Sequence, residues 1–373
     1  MTPRLGRRAL LHGALGGAAL LACEPAPWPL RVLVLGGTGY VGPPIVEALQ
    51  ARGHALTLFN RGRTDPGRFA GIEQLRGDRD RDGGLAALEG RRWDVVVDVS
   101  GILPSWVDAS ARLLAPAVSR YLLISSTAVY QRLDRPPLDE SSPLRPSPAR
   151  PDDRRASNGE RKAGCERVAA AAMPGRTCFL RAIWIVGDED PGDQLQAWLL
   201  RVAEGGPMAT PGPASRRILY LDRRDLARST AMAVEYGALG PYNLCQRASV
   251  GALVDAAAAI TGGAIEPRWL DDERLATSGA GQAFPLVHRF EGRVRLAPEL
   301  DVSRALAAGM RPRPLTATLA AVWDELQGAS PASRARARER WPSPAREREL
   351  LEPWTIDPDA AGPDAAGPDD PSA

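Results

Sequence analysis

The spacing of hydrophobic positions changes along the chain. Short apolar runs, such as 31–35 (RVLVL) and 94–100 (DVVVDVS), alternate with segments whose apolar residues recur every three or four positions. The first kind of run predicts buried strands and the second predicts helices. Near-continuous apolar strands that alternate with helices are typical of a parallel sheet with helices on both faces. We therefore predict an α/β protein with a Rossmann-type, doubly wound parallel sheet. The other predicted strands are 55–59, 72–77, 121–126 and 178–187, and helices are predicted near 104–118 and 157–173.

The alternation becomes looser after residue 187, which divides the chain into segments. Residues 31–187 are expected to form the doubly wound domain, and 188–327 a smaller mixed α/β portion that binds the substrate. From 328 to 373 the chain is charged and rich in proline, which predicts a partly disordered tail. A Pro- and charge-rich loop of about two dozen residues precedes the helix at 157–173, and loops of that length are usually functional or disordered.

The first 23 residues have the pattern of a targeting segment. Arg4, Arg7 and Arg8 precede an apolar, Gly-rich run that ends at Cys23. The run is too short to cross a bilayer of ~30 Å, so it predicts a removable export signal. The adjacent Arg7 and Arg8 resemble a twin-arginine signal, and LLAC (20–23) resembles a lipobox, in which the cysteine is lipid-modified. We expect an exported protein that is periplasmic or anchored to the membrane through Cys23.

Charge and cysteine usage exclude several classes of protein. The formal net charge of +2 becomes −1 once the three arginines of the predicted signal are removed, so no basic field attracts nucleic acid. The remaining cysteines, Cys165, Cys178 and Cys245, are scattered and form no CxxC pair. We expect no metal site and no nucleic-acid partner.

The glycine-rich segment LGGTGYVG follows the first strand directly. Gly36, Gly39 and Gly42 lie between that strand and a helix whose first turn contains Pro43 and Pro44. Glycines with this spacing allow a tight turn, close approach of a pyrophosphate, and packing of the helix on the strand. The segment predicts a dinucleotide site, and its cofactor-binding residues include Tyr40 and Val41.

The end of the second strand indicates which dinucleotide binds. An acidic residue at this place would hold the ribose 2′-hydroxyl of NAD. The chain instead has Asn60, followed by Arg61 and Arg63. A guanidinium matches a 2′-phosphate by bidentate contact, so these residues favour NADP over NAD.

Several motifs in a fixed order resemble one family. They are GGTGYVG, LFNRGRT, GDRD (77–80), WDVVVDVSG, YLLISSTAVY, the helix that contains Lys162, LDRRDLA (221–227) and PYNLC. Together they resemble the NAD(P)-dependent epimerase/dehydratase family, which consists of extended short-chain dehydrogenase/reductases. The resemblance is to an atypical bacterial branch with an LFNRG motif, and it covers roughly residues 31–327.

The resemblance implies roles for individual residues. In the family, a Tyr-x-x-x-Lys pair on a helix and a Ser or Thr after the fifth strand carry the reaction, in which the tyrosine transfers the hydroxyl proton. Ser126 matches the serine and Lys162, the only lysine of the chain, matches the lysine that holds the ribose. Asp78 matches a residue that contacts adenine. Asn158 occupies the position of the tyrosine.

An amide has no proton that titrates near neutral pH, so Asn158 cannot replace the tyrosine as acid/base. Three hypotheses remain open. Asn158 could orient a substrate or water while Tyr130, or an acid of the loop DEDPGD (188–193), moves the proton. The protein could bind NADP without turnover. The long loop before residue 157 could supply an unidentified group.

The leading expectation is an exported NADP-binding oxidoreductase that acts on a hydroxyl or carbonyl of a small molecule, with sugar derivatives as one candidate class. Ser126, Asn158 and Lys162 are its expected catalytic-site residues. The alternative is a catalytically silent NADP-binding sensor or structural protein. A plant chloroplast branch of the family binds RNA stem-loops, but the net charge and the predicted export signal argue against that function here.

Overall fold

The computed structural model describes residues 29–132, 138–280, 283–286 and 299–352. The predicted export signal with Cys23, and residues 353–373 of the predicted tail, lie outside the described residues. In chain order the strands are β1 (Arg31–Leu35), β2 (Ala55–Asn60), β3 (Glu73–Arg76), β4 (Val95–Asp98), β5 (Arg120–Ser126), β6 (Thr177–Ala182), β7 (Ile185–Val186), β8 (Gly206–Pro211), β9 (Arg217–Asp222), β10 (Gly240–Leu244), β11 (Gln246–Ser249) and β12 (Ile265–Leu270). The helices are α1 (Gly42–Gln50), α2 (Pro104–Leu114), α3 (Asn158–Ala172), α4 (Gln194–Glu204), α5 (Arg223–Glu235), α6 (Val250–Thr261), α7 (Asp272–Thr277), α8 (Ser303–Ala307), α9 (Leu315–Gly328), α10 (Pro331–Arg338) and α11 (Pro344–Leu351).

Seven strands form a parallel sheet in the order β10-β6-β5-β4-β1-β2-β3. This confirms the predicted Rossmann-type fold. The first strand lies between β2 and β4, so the strand order reverses beside it. In open parallel sheets, ligands bind at the carboxyl ends of the strands next to such a reversal. The topology therefore directs the search for a site to the ends of β1, β2 and β4.

Helices cover both faces of the sheet, as the apolar strands require. Val32 and Val34 of β1 pack in one hydrophobic core and Leu33 and Leu35 in another, because successive side chains of a strand point to opposite faces. All residues of β4 and β6 are buried. Two-sided burial explains why these strands read as continuous apolar runs in the sequence.

The C-terminal part of the chain has its own small sheets and core. Strands β7, β9 and β11 form one sheet, and β8 pairs with β12. Its core contains an aromatic cluster, in which the ring of Trp341 lies 4.6 Å from Trp198 and 5.1 Å from Phe284 between centroids. One strand from this part of the chain, β10, pairs with β6 and completes the large sheet. The segment 188–327 thus contributes one strand to the large sheet.

The segment from residue 328, which was predicted as a partly disordered tail, contains two packed helices, α10 and α11. Their residues Ala337, Trp341 and Leu350 are buried. Glu347 of α11 forms a buried ion pair with Arg201 of α4, with an N–O distance of 2.8 Å. The charges that suggested disorder in the sequence are in part paired with earlier segments. Among the described residues, no helix combines the length and apolar character that crossing a membrane requires.

Candidate cofactor and catalytic site

The three glycines of the turn between β1 and α1 have distinct structural roles. Gly36 has a φ of +105°, which L side chains rarely adopt. A Cβ at Gly42 would lie 2.5 Å from the carbonyl carbon of Gly37, so this position must lack a side chain for α1 to pack on the turn. No atom lies within 4 Å of the place where Gly39 would have a Cβ, and Gly39 lines an open cleft. These are the features that close approach of a pyrophosphate requires.

The cleft lies at the carboxyl ends of the strands beside the strand-order reversal and has a volume of about 480 Å³. It extends from the glycine-rich turn to the ends of β2 and β3. Asn60, Arg61, Arg63 and Asp78, which the sequence analysis assigned to cofactor binding, all line it. The structure thus brings Gly36 and Gly39 of the turn together with the residues predicted at the end of β2 and after β3. The other predicted residues of the turn, and Ser126, Asn158 and Lys162, are not among the residues that line this cleft.

Asn60 is held by hydrogen bonds within the protein, whereas the two arginines that follow it, Arg61 and Arg63, are exposed. The Oδ1 of Asn60 accepts hydrogen bonds from the Gly62 N–H, at 2.8 Å, and from the guanidinium of Arg76. Asn60 therefore shapes the loop at the end of β2. Arg61 and Arg63 are exposed, line the cleft, and pair with no carboxylate among the described residues. Two guanidiniums are thus free to bind an anion at this edge.

Under the cleft lies a buried ion pair that the sequence analysis did not identify. Arg79 donates to both carboxylate oxygens of Asp98, at 2.7 and 3.0 Å, and to the Oγ of Ser100 at 2.6 Å. Tyr121 donates its hydroxyl proton to Asp98 at 2.6 Å. Asp98 is the only acid in the otherwise apolar strand VVVD, and that isolated charge was the available sequence signal.

Lys162 lies on α3 and is 9% exposed. Its Nζ donates to the carbonyl oxygens of Gly101, at 2.9 Å, and of Ile124, at 2.7 Å. These carbonyls belong to the loop after β4 and to β5, so the ammonium is fixed at the carboxyl edge of the sheet. An ammonium has three donors, and one remains for a ligand. Burial lowers the pKa of Lys162 below its ordinary value.

Ser126 and Asn158 occupy the ends of their elements. Ser126 ends β5, and its Oγ accepts a hydrogen bond from the Ala128 N–H at 3.2 Å, which leaves its hydroxyl proton to donate. Asn158 is the first residue of α3, directly after the N-cap Ser157, which forms a capping box with Glu160. Asn158 is exposed, and its side chain has no hydrogen bond within the described part of the chain. Asn158 and Lys162 are one helical turn apart.

Tyr130, one of the groups considered for proton transfer, is fully buried in the core. It is 0% exposed. Its hydroxyl donates to the Oδ1 of Asn243 at 2.6 Å and accepts from Arg181 at 3.0 Å. Arg181 in turn pairs with the buried Glu166 of α3 at 2.7 Å. Burial raises the pKa of Tyr130. Tyr130 therefore belongs to a structural network that fixes α3 on the sheet.

The acidic loop DEDPGD (188–193) contains two carboxylate oxygens that are buried without a hydrogen-bond partner among the described residues, Oδ1 of Asp188 and Oδ2 of Asp190. Asp188 lies 3.6 Å from the guanidinium of Arg223, and Asp190 is the more deeply buried residue. Asp190 is 5% exposed. Its Oδ1 accepts from the Gly192 N–H at 2.8 Å, whereas its Oδ2 has no hydrogen-bond partner in the part of the chain that the structure describes. Burial raises the pKa of Asp190 above its ordinary value. The hydroxyl of Tyr40, in the glycine-rich turn, is also buried without a partner, and burial followed by the charge of Asp190 raises its pKa.

The remaining residues of the turn and loop have structural roles. Arg223 pairs with Glu189 at 2.9 Å and stacks over the ring of Tyr40, with 5.0 Å between the guanidinium carbon and the ring centroid. Val41 is the N-cap residue of α1 and packs on the core. Asp222 caps α5 through a hydrogen bond from the Arg224 N–H. Among the described residues, no group of His, Cys, Asp and Glu could hold a metal ion.

Comparison with known proteins identifies the family of this chain. Residues 32–245 match the family described as "NAD dependent epimerase/dehydratase family". The 2′-dehydrokanamycin reductase of Streptomyces kanamyceticus is 28% identical over 228 residues, which cover 59% of this chain and 63% of that protein. The chloroplast stem-loop binding protein of 41 kDa b of Arabidopsis thaliana is 32% identical over 130 residues, which cover 31% of this chain and 34% of that protein.

A solved structure has the same fold. The Bordetella bronchiseptica enzyme WbmG in complex with NAD and UDP is 16% identical, with a TM-score of 0.60 over 82% of this chain and 96% of that one. The chain spans just under two thirds of the length of the kanamycin-related reductase and about a third of that of the stem-loop binding protein. The residues that match the family, 32–245, include the glycine-rich turn.

Proposed function

Because the chain belongs to the NAD dependent epimerase/dehydratase family, we propose that it is an NADP-dependent oxidoreductase that acts on a hydroxyl or carbonyl group of a small molecule. The observation that carries this proposal is the cleft that combines the glycine-rich turn with two unpaired guanidiniums, those of Arg61 and Arg63. The name of the Streptomyces relative specifies reduction of 2′-dehydrokanamycin. It supports a sugar derivative as the substrate class.

The residues of the cleft fit a nicotinamide dinucleotide. Gly39 leaves room for the pyrophosphate. Lys162 does not line the cleft, but it binds the carbonyl of Gly101, between the cleft residues Ser100 and Ile102, and keeps one donor for the ribose. The bound cofactor would accept or supply a hydride at the substrate carbon, so a proton must leave or join the substrate oxygen. Ser126 can donate a hydrogen bond to that oxygen.

The proton requires a group other than Asn158, and we assign it to Asp190. Its Oδ2 has no hydrogen-bond partner among the described residues, and burial raises its pKa above the ordinary value, which favours the protonated form that a general acid needs. Asn158, exposed one turn before Lys162, would orient the substrate or a water molecule. This retains the hypothesis that an acid of the 188–193 loop replaces the family tyrosine.

The cofactor preference is tested by Arg61→Ala. Arg61 directly follows the last residue of β2, so we expect it to bind the 2′-phosphate more tightly than Arg63 does. Loss of one charge-assisted contact costs ~1.5–3 kcal/mol, which is about tenfold or more in affinity. Calorimetry should show weaker binding of NADP and unchanged binding of NAD, with Arg155→Ala as the exposed control. An unchanged NADP/NAD ratio in Arg61→Ala would contradict this assignment.

The acid/base is tested by comparing turnover in Asp190→Asn and Asp188→Asn. Both variants lose one negative charge from the same loop, but Asp190 is the buried residue with the raised pKa. General acid/base help is worth ~10² to 10⁴ in rate. We expect carbonyl reduction with NADPH to fall by that factor in Asp190→Asn and to change little in Asp188→Asn. Equal rates in both variants would remove Asp190 from the reaction.

A second candidate function is a catalytically silent NADP-binding protein, and Asn158 is the observation that favours it. If the acid/base is missing, the native chain binds NADP without turnover, and Asn158→Tyr places a phenol one helical turn from Lys162. That variant should then gain hydride transfer while it keeps its NADP affinity. Native turnover that Asn158→Tyr abolishes would exclude this candidate and assign Asn158 a working role.

The proposed location is outside the cytoplasm, either periplasmic or anchored to the membrane through Cys23. The support comes from the sequence of residues 1–23 alone. Export by the twin-arginine route would suit the proposed function, since a chain exported in folded form can carry NADP made in the cytosol. The stem-loop binding relative raises RNA as a partner, but the formal charge of −1 without the signal provides no field for it.

A further inference from the structure

The Pro-rich segment between β5 and α3 contributes a side chain to the cleft. Arg154, three residues before the N-cap of α3, lines the cleft together with Trp106 of α2. The segment is fixed near the start of α2, where the Ser105 N–H donates to the Pro151 carbonyl at 3.0 Å. A segment remote from the glycine-rich turn in sequence thus forms part of the wall at the adenosine end.

Asp80, Trp106 and Arg154 contact one another, and we call them the adenosine latch. The guanidinium of Arg154 lies 2.7 Å from the carboxylate of Asp80 and 5.3 Å from the ring centroid of Trp106. The indole N–H of Trp106 donates to the Oδ1 of Asp80 at 3.2 Å. Three elements meet here: the loop after β3, helix α2 and the Pro-rich segment.

The exposure of the latch indicates that it contributes little to folding. The side chains of Arg154 and Asp80 are 54% and 51% exposed, and ion pairs of this kind are weak in water. The other arginine beside Trp106, Arg79, is 5% exposed and held by Asp98. Arg154 is therefore the guanidinium of this wall that a ligand can engage without breaking a buried pair.

We propose that Arg154 binds the adenine of the dinucleotide by stacking its guanidinium on the purine, and that the latch retains the cofactor in the cleft. In this fold the adenosine ribose is held near the end of the second strand, and Arg154 reaches the loop after the neighbouring strand β3 through its pair with Asp80. A planar guanidinium stacks on aromatic faces, whereas an ammonium does not. This inference rests on the proposed cofactor binding, and it differs from the role of Arg61 because adenine is common to NADP and NAD.

The test measures binding of NADP, NAD and ADP by calorimetry, and release of NADPH by stopped-flow fluorescence. Variants Arg154→Ala and Arg154→Lys are compared with Arg155→Ala, the adjacent exposed arginine that does not line the cleft. We expect Arg154→Ala to bind all three ligands about fivefold to tenfold more weakly and to release NADPH faster by a similar factor. Arg154→Lys should lose nearly as much, since it keeps the charge but not the planar face.

Each other outcome overturns the inference in a distinct way. Native affinity in Arg154→Ala removes Arg154 from the site. Native affinity in Arg154→Lys means that the ion pair with Asp80 matters and that stacking does not. A loss confined to NADP assigns Arg154 to the 2′-phosphate. A native chain that binds none of the ligands refutes the proposed function itself, whereas native binding that Arg154→Ala leaves unchanged refutes only the latch.

Discussion

The only lysine of the chain allows a direct test of how the site is built. The Nζ of Lys162 lies 2.9 Å from the Gly101 carbonyl oxygen and 2.7 Å from that of Ile124, in a slot that is almost closed to solvent. A guanidinium is larger and planar, so Lys162→Arg must displace the surrounding side chains. Overpacking of this kind costs ~1–3 kcal/mol. We expect Lys162→Arg to lose that much free energy of unfolding and also to bind NADP at least tenfold more weakly.

Lys162→Met tests the contribution of the charge alone, because methionine removes the ammonium but keeps most of the length of the side chain. Two buried carbonyls lose their donor, at ~1–3 kcal/mol each, while the cost of burying the ammonium is removed. The two effects oppose each other, so we expect a net loss of ~1–3 kcal/mol in the free energy of unfolding at pH 7. The NADP affinity should fall as in Lys162→Arg, since no donor remains for the ribose.

The difference in free energy of unfolding between the native chain and Lys162→Met should change with pH in a definite direction. Burial lowers the pKa of Lys162 from its ordinary value of 10.5. Between the lowered value and 10.5 the folded chain has lost a proton that the unfolded chain retains, so the free energy of unfolding rises with pH in that window. The methionine variant lacks this gain. The stability of the native chain relative to Lys162→Met should therefore increase as the pH rises through the window.

Urea unfolding followed by circular dichroism, at several pH values up to 10.5, measures these differences, and calorimetry measures NADP binding. The control is Arg167→Lys, an exposed position on the same helix, where a change within ~0.5 kcal/mol is expected. A Lys162→Arg variant with native stability and native NADP affinity would refute the structural reasoning. A stability gap to Lys162→Met that stays constant with pH would refute the assignment of a lowered pKa.

Two further predictions concern other parts of the chain. Asp98→Asn should cost ~3–5 kcal/mol in free energy of unfolding, since it leaves the guanidinium of Arg79 buried without its counterion. In contrast, Asp108→Asn, which breaks the solvent-exposed pair with Arg112, should leave the free energy of unfolding almost unchanged. Cell fractionation should find the native chain in the membrane or periplasmic fraction, with the membrane-bound part lost in Cys23→Ala. Unprocessed, full-length protein in the cytosol would contradict the export prediction.

The parts of the fold that the sequence predicted are those governed by local patterns. Six of the seven strands of the large sheet were predicted from short apolar runs. The seventh, β10, was not predicted as part of the sheet. The glycine-rich turn follows from spacing, because Gly36 and Gly42 are required by backbone geometry that no other residue tolerates easily. Pattern reasoning succeeds here because each requirement acts within a few residues.

The parts that were missed depend on contacts between distant segments. Helices α10 and α11 are rich in arginine, and the sequence does not reveal that Arg336 and Glu347 meet Asp193 and Arg201. The pair Arg79–Asp98 joins residues 19 positions apart, at the ends of two strands that are not neighbours in the sheet. Such pairs form only once the topology is fixed, so a single sequence contains no periodic signal for them.

The frame around Lys162 and Ser126 does not depend on the side chain at residue 158. Lys162 and Ser126 are held by backbone contacts that do not depend on residue 158, since the ammonium binds two carbonyls and the hydroxyl accepts from the Ala128 N–H. A change at residue 158 alters the proton chemistry and leaves this frame in place. Tyr130 cannot compensate, because its hydroxyl is committed to Asn243 and Arg181. For the proposed oxidoreductase, the proton would have to pass through a group outside α3 and β5. Asp190 is the candidate of the 188–193 loop because it is deeply buried, its Oδ2 has no hydrogen-bond partner among the described residues, and burial raises its pKa.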